Sequence, residues 1–283
     1  MSDGWPERLG RAIGVPVLDH RLTGGGHGAS HARARLGDGR EVFVKLADAC
    51  AELSAEAVGL RWLAEAGAVP VPEVLCCADG MLALSWVPPG SADLAAADRF
   101  GGDLARLHAY GADSFGAPWA GFIASLPLPN EQAGSWPSWY AECRLLPYCR
   151  IARDAGTFGQ GEVALIESVA ARIGDLAGPA EPPSRIHGDC WSGNVLFSGG
   201  RVWLIDPSAH GGHRETDLAM LALFGVPRLD RIMGAYREVA PLSEGWQVRV
   251  PLHQLHPLLV HVCLFGGSYT GAAVSAARAA LRA

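Results

Sequence analysis

The sequence predicts an α+β fold in two lobes: a small antiparallel β-sheet lobe over residues 1–88 and a larger, mainly helical lobe over residues 89–283. Three observations predict it. Short alternating runs separated by Gly-containing turns crowd the N-terminal part of the chain. Beyond Pro88-Pro89-Gly90, apolar residues recur mostly at helical spacing. A chain of 283 residues with 49% hydrophobic content can fill the cores of two lobes around a cleft.

Composition narrows the function. A net charge of −6 argues against nucleic acid as the main partner, because phosphate backbones call for an excess of Lys and Arg. Met1-Ser2-Asp3-Gly4-Trp5-Pro6 has no basic region leading into an apolar run, so no secretory signal is expected. No apolar run is read as a membrane span, and no membrane partner is expected. The seven Cys are odd in number and lack C-x-x-C pairs, which suits reduced, mostly buried thiols in the cytoplasm. Zinc is the weaker alternative, since the scattered His and Cys lack finger spacing.

The first lobe opens with a run ending in Leu22-Thr23, then Gly24-Gly25-Gly26-His27-Gly28-Ala29-Ser30. His31-Ala32-Arg33-Ala34-Arg35-Leu36 alternates as a strand, Asp38-Gly39 makes a hairpin turn, and Glu41 to Leu46 is the return strand carrying Lys45. Glycines let backbone N–H groups approach phosphate oxygens, although the run alone fits a plain turn equally well. Lys45 changes that balance. It is the only Lys among 23 Lys plus Arg, so a role that a guanidinium cannot fill is indicated. Residues 50–66 read as a helix rich in Ala, Leu and Glu. Glu56, mid-helix, is the chosen partner for Lys45, with Glu52 one turn earlier as the fallback. Val74 to Ala78 and Met81 to Val87 read as strands joined at Asp79-Gly80. The second runs into a hinge, and backbone near Ser85, Trp86 and Val87 is placed against a nucleotide base; an ordinary strand end is the other reading.

In the second lobe, Ala92 to Tyr110 reads as a helix with His108 packed in the core. Gly116 to Asn130 reads as a loop, Trp136 opens a helix carrying Arg144, and residues 161–177 form another. Arg185-Ile186-His187-Gly188-Asp189-Cys190-Trp191-Ser192-Gly193-Asn194 follows, and Val202-Trp203-Leu204-Ile205-Asp206 closes the next apolar run. Kinase-type phosphoryl transfer needs this set: a carboxylate that accepts the hydroxyl proton, plus an Asn and a second carboxylate that hold Mg²⁺ on ATP. A polar turn between strands is the competing reading. Asp-Phe-Gly, a long activation loop and Ala-Pro-Glu are all missing after Asp206, so no peptide-docking segment is expected. Glu215 and Asp217 start a helix; Asp217 either caps it or braces the catalytic loop, with His187 as a second support. His210 and His213 fit turn or substrate-loop roles better than metal ligation. Trp191 offers either an aromatic face to a sugar or packing under the loop.

The whole chain resembles the fructosamine (ketosamine) kinase family, a branch of the aminoglycoside-phosphotransferase-like small-molecule kinases. The most specific match is His187-Gly188-Asp189-Cys190-Trp191-Ser192-Gly193-Asn194; aminoglycoside and choline kinases typically carry a triplet such as His-Pro-Gly where Trp-Ser-Gly stands here. Ile205-Asp206-Pro207 and Gly212 to Met220 with Leu223-Phe224 are the second. Weaker ones are Phe122-Ile123 to Asn130, Ser135-Trp136, Arg144-Leu145 and Leu264 to Tyr269. The resemblance implies a protein-kinase-like fold and ATP-dependent phosphorylation of the sugar 3-hydroxyl of ketosamines, free or on glycated protein, which destabilises the sugar–amine linkage. It implies Asp189 as base, Asn194 and Asp206 as Mg²⁺ ligands, and Lys45 with Glu56 as the phosphate-orienting pair. Trp191, His210 and Trp136 become candidates for the substrate rim. Some members carry a Cys in the glycine-rich loop that forms a redox-sensitive disulfide. Gly24 to Ser30 has His27 and no Cys, so that control is not expected. Cys190 stands where Leu is more usual and is expected to be an apolar fill. The alternatives are a kinase for an aminoglycoside, choline, homoserine or a thiosugar, and a pseudokinase-like binding module.

Overall fold

The computed structural model describes residues 4–26, 28–48 and 50–283. His27 and Met1 to Asp3, which enter the readings of the glycine-rich segment and the N-terminus, lie outside the described residues. Pro6 in the first turn, with Glu7 at the positive end of the helix dipole, starts α1 (Trp5–Ile13). This helix is absent from the expected elements. Its buried side chains are only Trp5 and Leu9, too few to show a period.

Five strands follow: β1 (Val17–Gly26), β2 (Ala29–Leu36), β3 (Glu41–Ala47), β4 (Val74–Ala78) and β5 (Met81–Ser85). They pair antiparallel in the order β1-β2-β3-β5-β4. The glycine run is not a free turn. Gly24, Gly25 and Gly26 pair with His31, Ser30 and Ala29 as the end of β1. α2 (Cys50–Glu65) lays Leu53, Ala57 and Leu60 on Leu82 and Leu84 of β5. α1 packs on the sheet's other apolar residues through Trp5 and Leu9, with the Trp5 and His20 rings 5.1 Å apart.

α3 (Leu94–Tyr110) begins at Asp93, whose carboxylate accepts the Ala96 N–H at 2.7 Å. The segment expected as a loop holds a small hairpin, β6 (Gly121–Ile123) and β7 (Leu126–Leu128). Strands of three residues are too short to show alternation. α4 (Trp136–Tyr140) continues through a π-turn into α5 (Leu146–Asp154), and α6 (Gln160–Ala171) and α7 (Ile173–Leu176) complete this layer. β8 (Ser184–Ile186), β9 (Val195–Ser198), β10 (Arg201–Leu204) and β11 (His210–Gly212) form two pairs, β8 with β11 and β9 with β10. α8 (Glu215–Leu223), α9 (Leu229–Val239), α10 (Trp246–Phe265) and α11 (Thr270–Ala280) close the lobe.

One expectation is corrected here. The helical stretch Trp246–Ala280 spans 35 residues and contains an 18-residue window of mean hydropathy 1.4, so it is long and apolar enough to cross a membrane by length and composition. Its Leu252, Leu255, Leu258 and Leu259 are buried against α4, α5 and α11, while 28% of the apolar window as a whole is buried. A 3₁₀ turn at Gly266–Tyr269 breaks it. Pro257 lacks an N–H for the His253 carbonyl, and the Tyr140 hydroxyl donates to that oxygen at 3.4 Å instead. Of the seven free cysteines, Cys143, Cys149 and Cys190 are buried, fewer than expected. Cys190 is fully enclosed.

Candidate active site

The loop between β8 and β9 sets the site. Gly188 has φ +81°, and a Cβ there would run into the Ser208 carbonyl oxygen. Asp217, at the start of α8 and buried, accepts the N–H groups of His187 at 2.8 Å and Gly188 at 2.9 Å. It also meets His108 Nε2 at 3.2 Å, and His108 Nδ1 lies 2.8 Å from the Tyr236 hydroxyl. His187 Nε2–H donates to the Ile205 carbonyl at 2.8 Å, tying the loop to the strand before Asp206. Burial lowers the His187 pKa and keeps it neutral. Gly188→Ala is expected to cost on the order of 3 kcal/mol, from left-handed strain plus the clash. Urea unfolding measures it, and a loss under about 1 kcal/mol would contradict this account of the loop.

Held this way, Asp189 projects into the cleft between the lobes. Asn194 Nδ2 donates to Asp189 Oδ2 at 2.7 Å and to the Asp189 carbonyl at 2.9 Å. Burial pushes the Asp189 carboxyl up to about 7. Its hydrogen bond from Asn194 opposes the rise, and the Asp206 and Asp217 charges reinforce it. A proton acceptor with a pKa near neutrality is well matched to taking a hydroxyl proton.

Lys45 of β3 faces Asp189 from the other lobe. Its Nζ lies 2.8 Å from Glu56 Oε2 and also pairs with Asp206 Oδ1. Glu56, rather than Glu52, is therefore the helix carboxylate that meets Lys45. Burial works against the Lys45 charge, but Glu56 and Asp206 outweigh it and raise its pKa. Burial raises Glu56. Asp206 is lowered: burial opposes its charge, and the Lys45 ammonium overcomes that. Asp206 sits at φ +52°, a strained position for a non-Gly residue, in the loop that the Ser208 hydroxyl anchors to the Phe122 carbonyl at 2.9 Å.

A cavity of about 470 Å³ runs between these groups, lined by Gly26, Lys45, Glu56, Asp189, Trp191, Asn194 and Asp206. Gly24 and Gly25 lie further back along β1 and do not line it. Ser85 N–H donates to Glu73 O at 2.9 Å and Trp86 N–H to Glu41 O at 3.1 Å. Sheet bonds thus consume both donors that the hinge reading placed against a base, leaving Val87 and the carbonyls.

Two candidates for the substrate rim are corrected. Trp136 is 5% exposed and stacks on Tyr140 at 4.6 Å and His253 at 4.8 Å. His210 is 3% exposed, and its Nδ1–H donates to the Ser208 carbonyl at 2.7 Å. Both are core residues because the α4 rings pack on β11 and the residue after it, Trp139 at 5.4 Å from His210 and Trp136 at 5.0 Å from His213. Nearby, ligand-capable atoms of His213, Glu215 and His253 lie within 4.8 Å of one another. The Arg249 guanidinium holds both Glu215 oxygens, at 3.0 and 2.5 Å, so the group is an ion-pair node with neutral histidines. Burial lowers both His210 and His213 to about 3. The unfolded chain takes up their protons near pH 6.5 while the folded chain refuses them until about pH 3, so stability is full above 6.5 and falls as pH drops. At pH 5 each costs about 2 kcal/mol. The raised Asp189 and Glu56 carboxyls act in the opposite sense over this range, so the test compares the change in urea midpoint between pH 7.5 and 5 in wild type with that in His210→Phe and His213→Phe; the same change in all three would contradict it.

The residues that motif reading missed as site residues line the cleft's other side: Trp119, Met220, Phe224, His261, Phe265 and Tyr269. Met220, Phe224, Phe265 and Tyr269 fall in segments of the family resemblance, which was the available signal.

Known proteins agree with this geometry. A model of the fructosamine kinase family matches residues 12–283. The chain belongs to that family. A Thermus thermophilus protein named as a probable ketoamine kinase is 38% identical over 219 residues, 77% of this chain and 78% of its own. The crystal structure of a candidate fructosamine-3-kinase from Thermobifida fusca superposes with TM-score 0.97 at 50% identity, covering 100% of both chains. A macrolide 2'-phosphotransferase from Brachybacterium faecium, at TM-score 0.66 and 18% identity over 97% of both chains, shares the fold. The fold is thus the two-lobed protein-kinase-like one, with an antiparallel sheet in the first lobe and helices in the second.

Proposed function

We propose that this protein is an ATP-dependent kinase that phosphorylates the 3-hydroxyl of fructosamines or ribulosamines. The observation that carries the reading is Asp189, held by Asn194 and raised to about 7, facing Lys45, Glu56 and Asp206 across one cleft in a fructosamine kinase family chain. The lobe boundary is taken at residues 88 and 89, with Val87 and the backbone carbonyls around Ser85 and Trp86 beside the base, and Gly26, the glycine of the run that lines the cavity, over the phosphates. Lys45, oriented by Glu56, meets the nucleotide phosphates. Asp206 and the Asn194 side-chain oxygen would hold Mg²⁺. The fit rests on the donor set, all hard oxygens, and on the Asp206 side chain, 42% exposed to the cleft. When bound, the metal neutralises charge on the transferring phosphoryl group.

Asp189 aligns the acceptor hydroxyl and takes its proton, while Asp217 and His187 keep the loop in place. Catalysis is mostly positioning, because the phosphoryl transition state is loose and asks for little covalent help. A small acceptor is supported by β11, which follows Asp206 almost at once and leaves no room for a peptide-docking loop. Its action on ketosamines makes the sugar–amine linkage labile, a deglycation chemistry. The seven free thiols fit a reducing, cytoplasmic setting. ADP release on a panel of ketosamines, aminoglycosides and choline tests the reading. Turnover confined to the last two would contradict it.

A further inference from the structure

Five rings form a continuous wall that starts beside the catalytic Asp and runs out to the cleft mouth. Trp191 meets Phe224 edge to face at 5.9 Å, and Phe224 lies 4.7 Å from His261. His261 in turn lies 5.4 Å from Phe265 and 4.8 Å from Tyr269. All five line the cavity that holds Asp189. Trp191 is 38% exposed and Phe265 53% exposed, so the wall presents ring faces to solvent at its outer end. We propose that this wall is the subsite for the group carried on the ketosamine nitrogen, and that it selects ketosamines whose amine bears an aromatic or other flat apolar substituent.

The proposal rests on the ketosamine kinase reading and deepens it. The wall belongs wholly to the helical lobe: the catalytic loop, the end of α8, the end of α10 and the 3₁₀ turn after it. The nucleotide phosphates belong with Lys45, on the opposite side. The acceptor hydroxyl must meet Asp189, which places the sugar at the Trp191 end. A sugar is covered with hydroxyls that need polar partners, and the wall supplies few. The phenyl rings of Phe224 and Phe265 carry no polar group to offer a hydroxyl, and His261 Nδ1–H donates to the Pro257 carbonyl at 2.7 Å. Successive ring contacts also extend well past one sugar. The remaining part of the substrate is the amine and its substituent. Ring faces attract a protonated secondary amine by cation–π interaction and a flat apolar group by stacking. Gly193 fits this arrangement, since the Trp191 ring folds over it where any Cβ would collide.

The test compares kcat/KM for the fructosamines of benzylamine and methylamine. Wild type is expected to prefer the benzyl compound, and Phe265→Ala to reduce that preference about fivefold, through KM rather than kcat. Phe265→Leu, which keeps apolar bulk without the ring, should fall between them and covers the case of a poorly folded Ala variant. A wild type without preference, or a preference that survives both substitutions, would overturn the subsite alone. Absence of turnover on either fructosamine in wild type would overturn the kinase reading and the subsite with it.

Discussion

Asp189→Ala is expected to lower kcat for phosphate transfer to a ketosamine by about 10³-fold, within the range that a positioned general base contributes. The fold should survive. Asp189 is a carboxylate pushed up by burial and by the Asp206 and Asp217 charges, so its removal relieves unfavourable terms. Asn194 keeps its bond to the backbone carbonyl of residue 189. The loop stays braced through Asp217, which binds the N–H groups of residues 187 and 188. An inactive variant with a melting temperature at or above wild type is the expected pairing. Undiminished turnover would remove Asp189 as the proton acceptor, and a collapsed melting temperature would turn the activity loss into a folding effect.

Lys45→Arg is the second large effect, with kcat/KM expected to fall about 10²-fold, as when one charge-stabilising donor is lost. The side chain is 7% exposed and wedged between Glu56 and Asp206. A planar guanidinium keeps the charge but is longer and directional, and it cannot replace a compact ammonium between two carboxylates and the phosphates. The effect should appear in steady-state assays with both ATP and ketosamine varied. Wild-type activity in this variant would dispose of the inference drawn from a chain that uses Arg everywhere else.

The polar half of the site was legible because its chemistry is local in sequence. Asp189, Asn194 and Asp206 are close along the chain, and strand–turn–strand geometry turns that spacing into a constellation. Lys45 and Glu56 were legible through a strand followed by a helix and through a composition that singled out one Lys. What failed depended on burial. Trp136 and His210 have the chemistry of a substrate rim, but side-chain type does not reveal that the α4 rings pack on His210 and His213 in the core. α1 and the β6–β7 hairpin are too short for their periods to register. The apolar stretch from Trp246 reads alike whether lipid or protein covers it, and only the fold shows which of its residues, Leu252, Leu255, Leu258 and Leu259 among them, pack against α4, α5 and α11. The aromatic wall comes from three separated segments, and only the fold brings Trp191, Phe224 and Tyr269 to one cleft.

The central claim is phosphate transfer to the 3-hydroxyl of a ketosamine. Its most direct test is ³¹P NMR of wild-type protein incubated with Mg·ATP and a ribulosamine or fructosamine. The account predicts a new phosphomonoester resonance coupled to the sugar H3, followed by slow release of the free amine. A phosphate on another hydroxyl, or no new monoester while ADP accumulates, would contradict it.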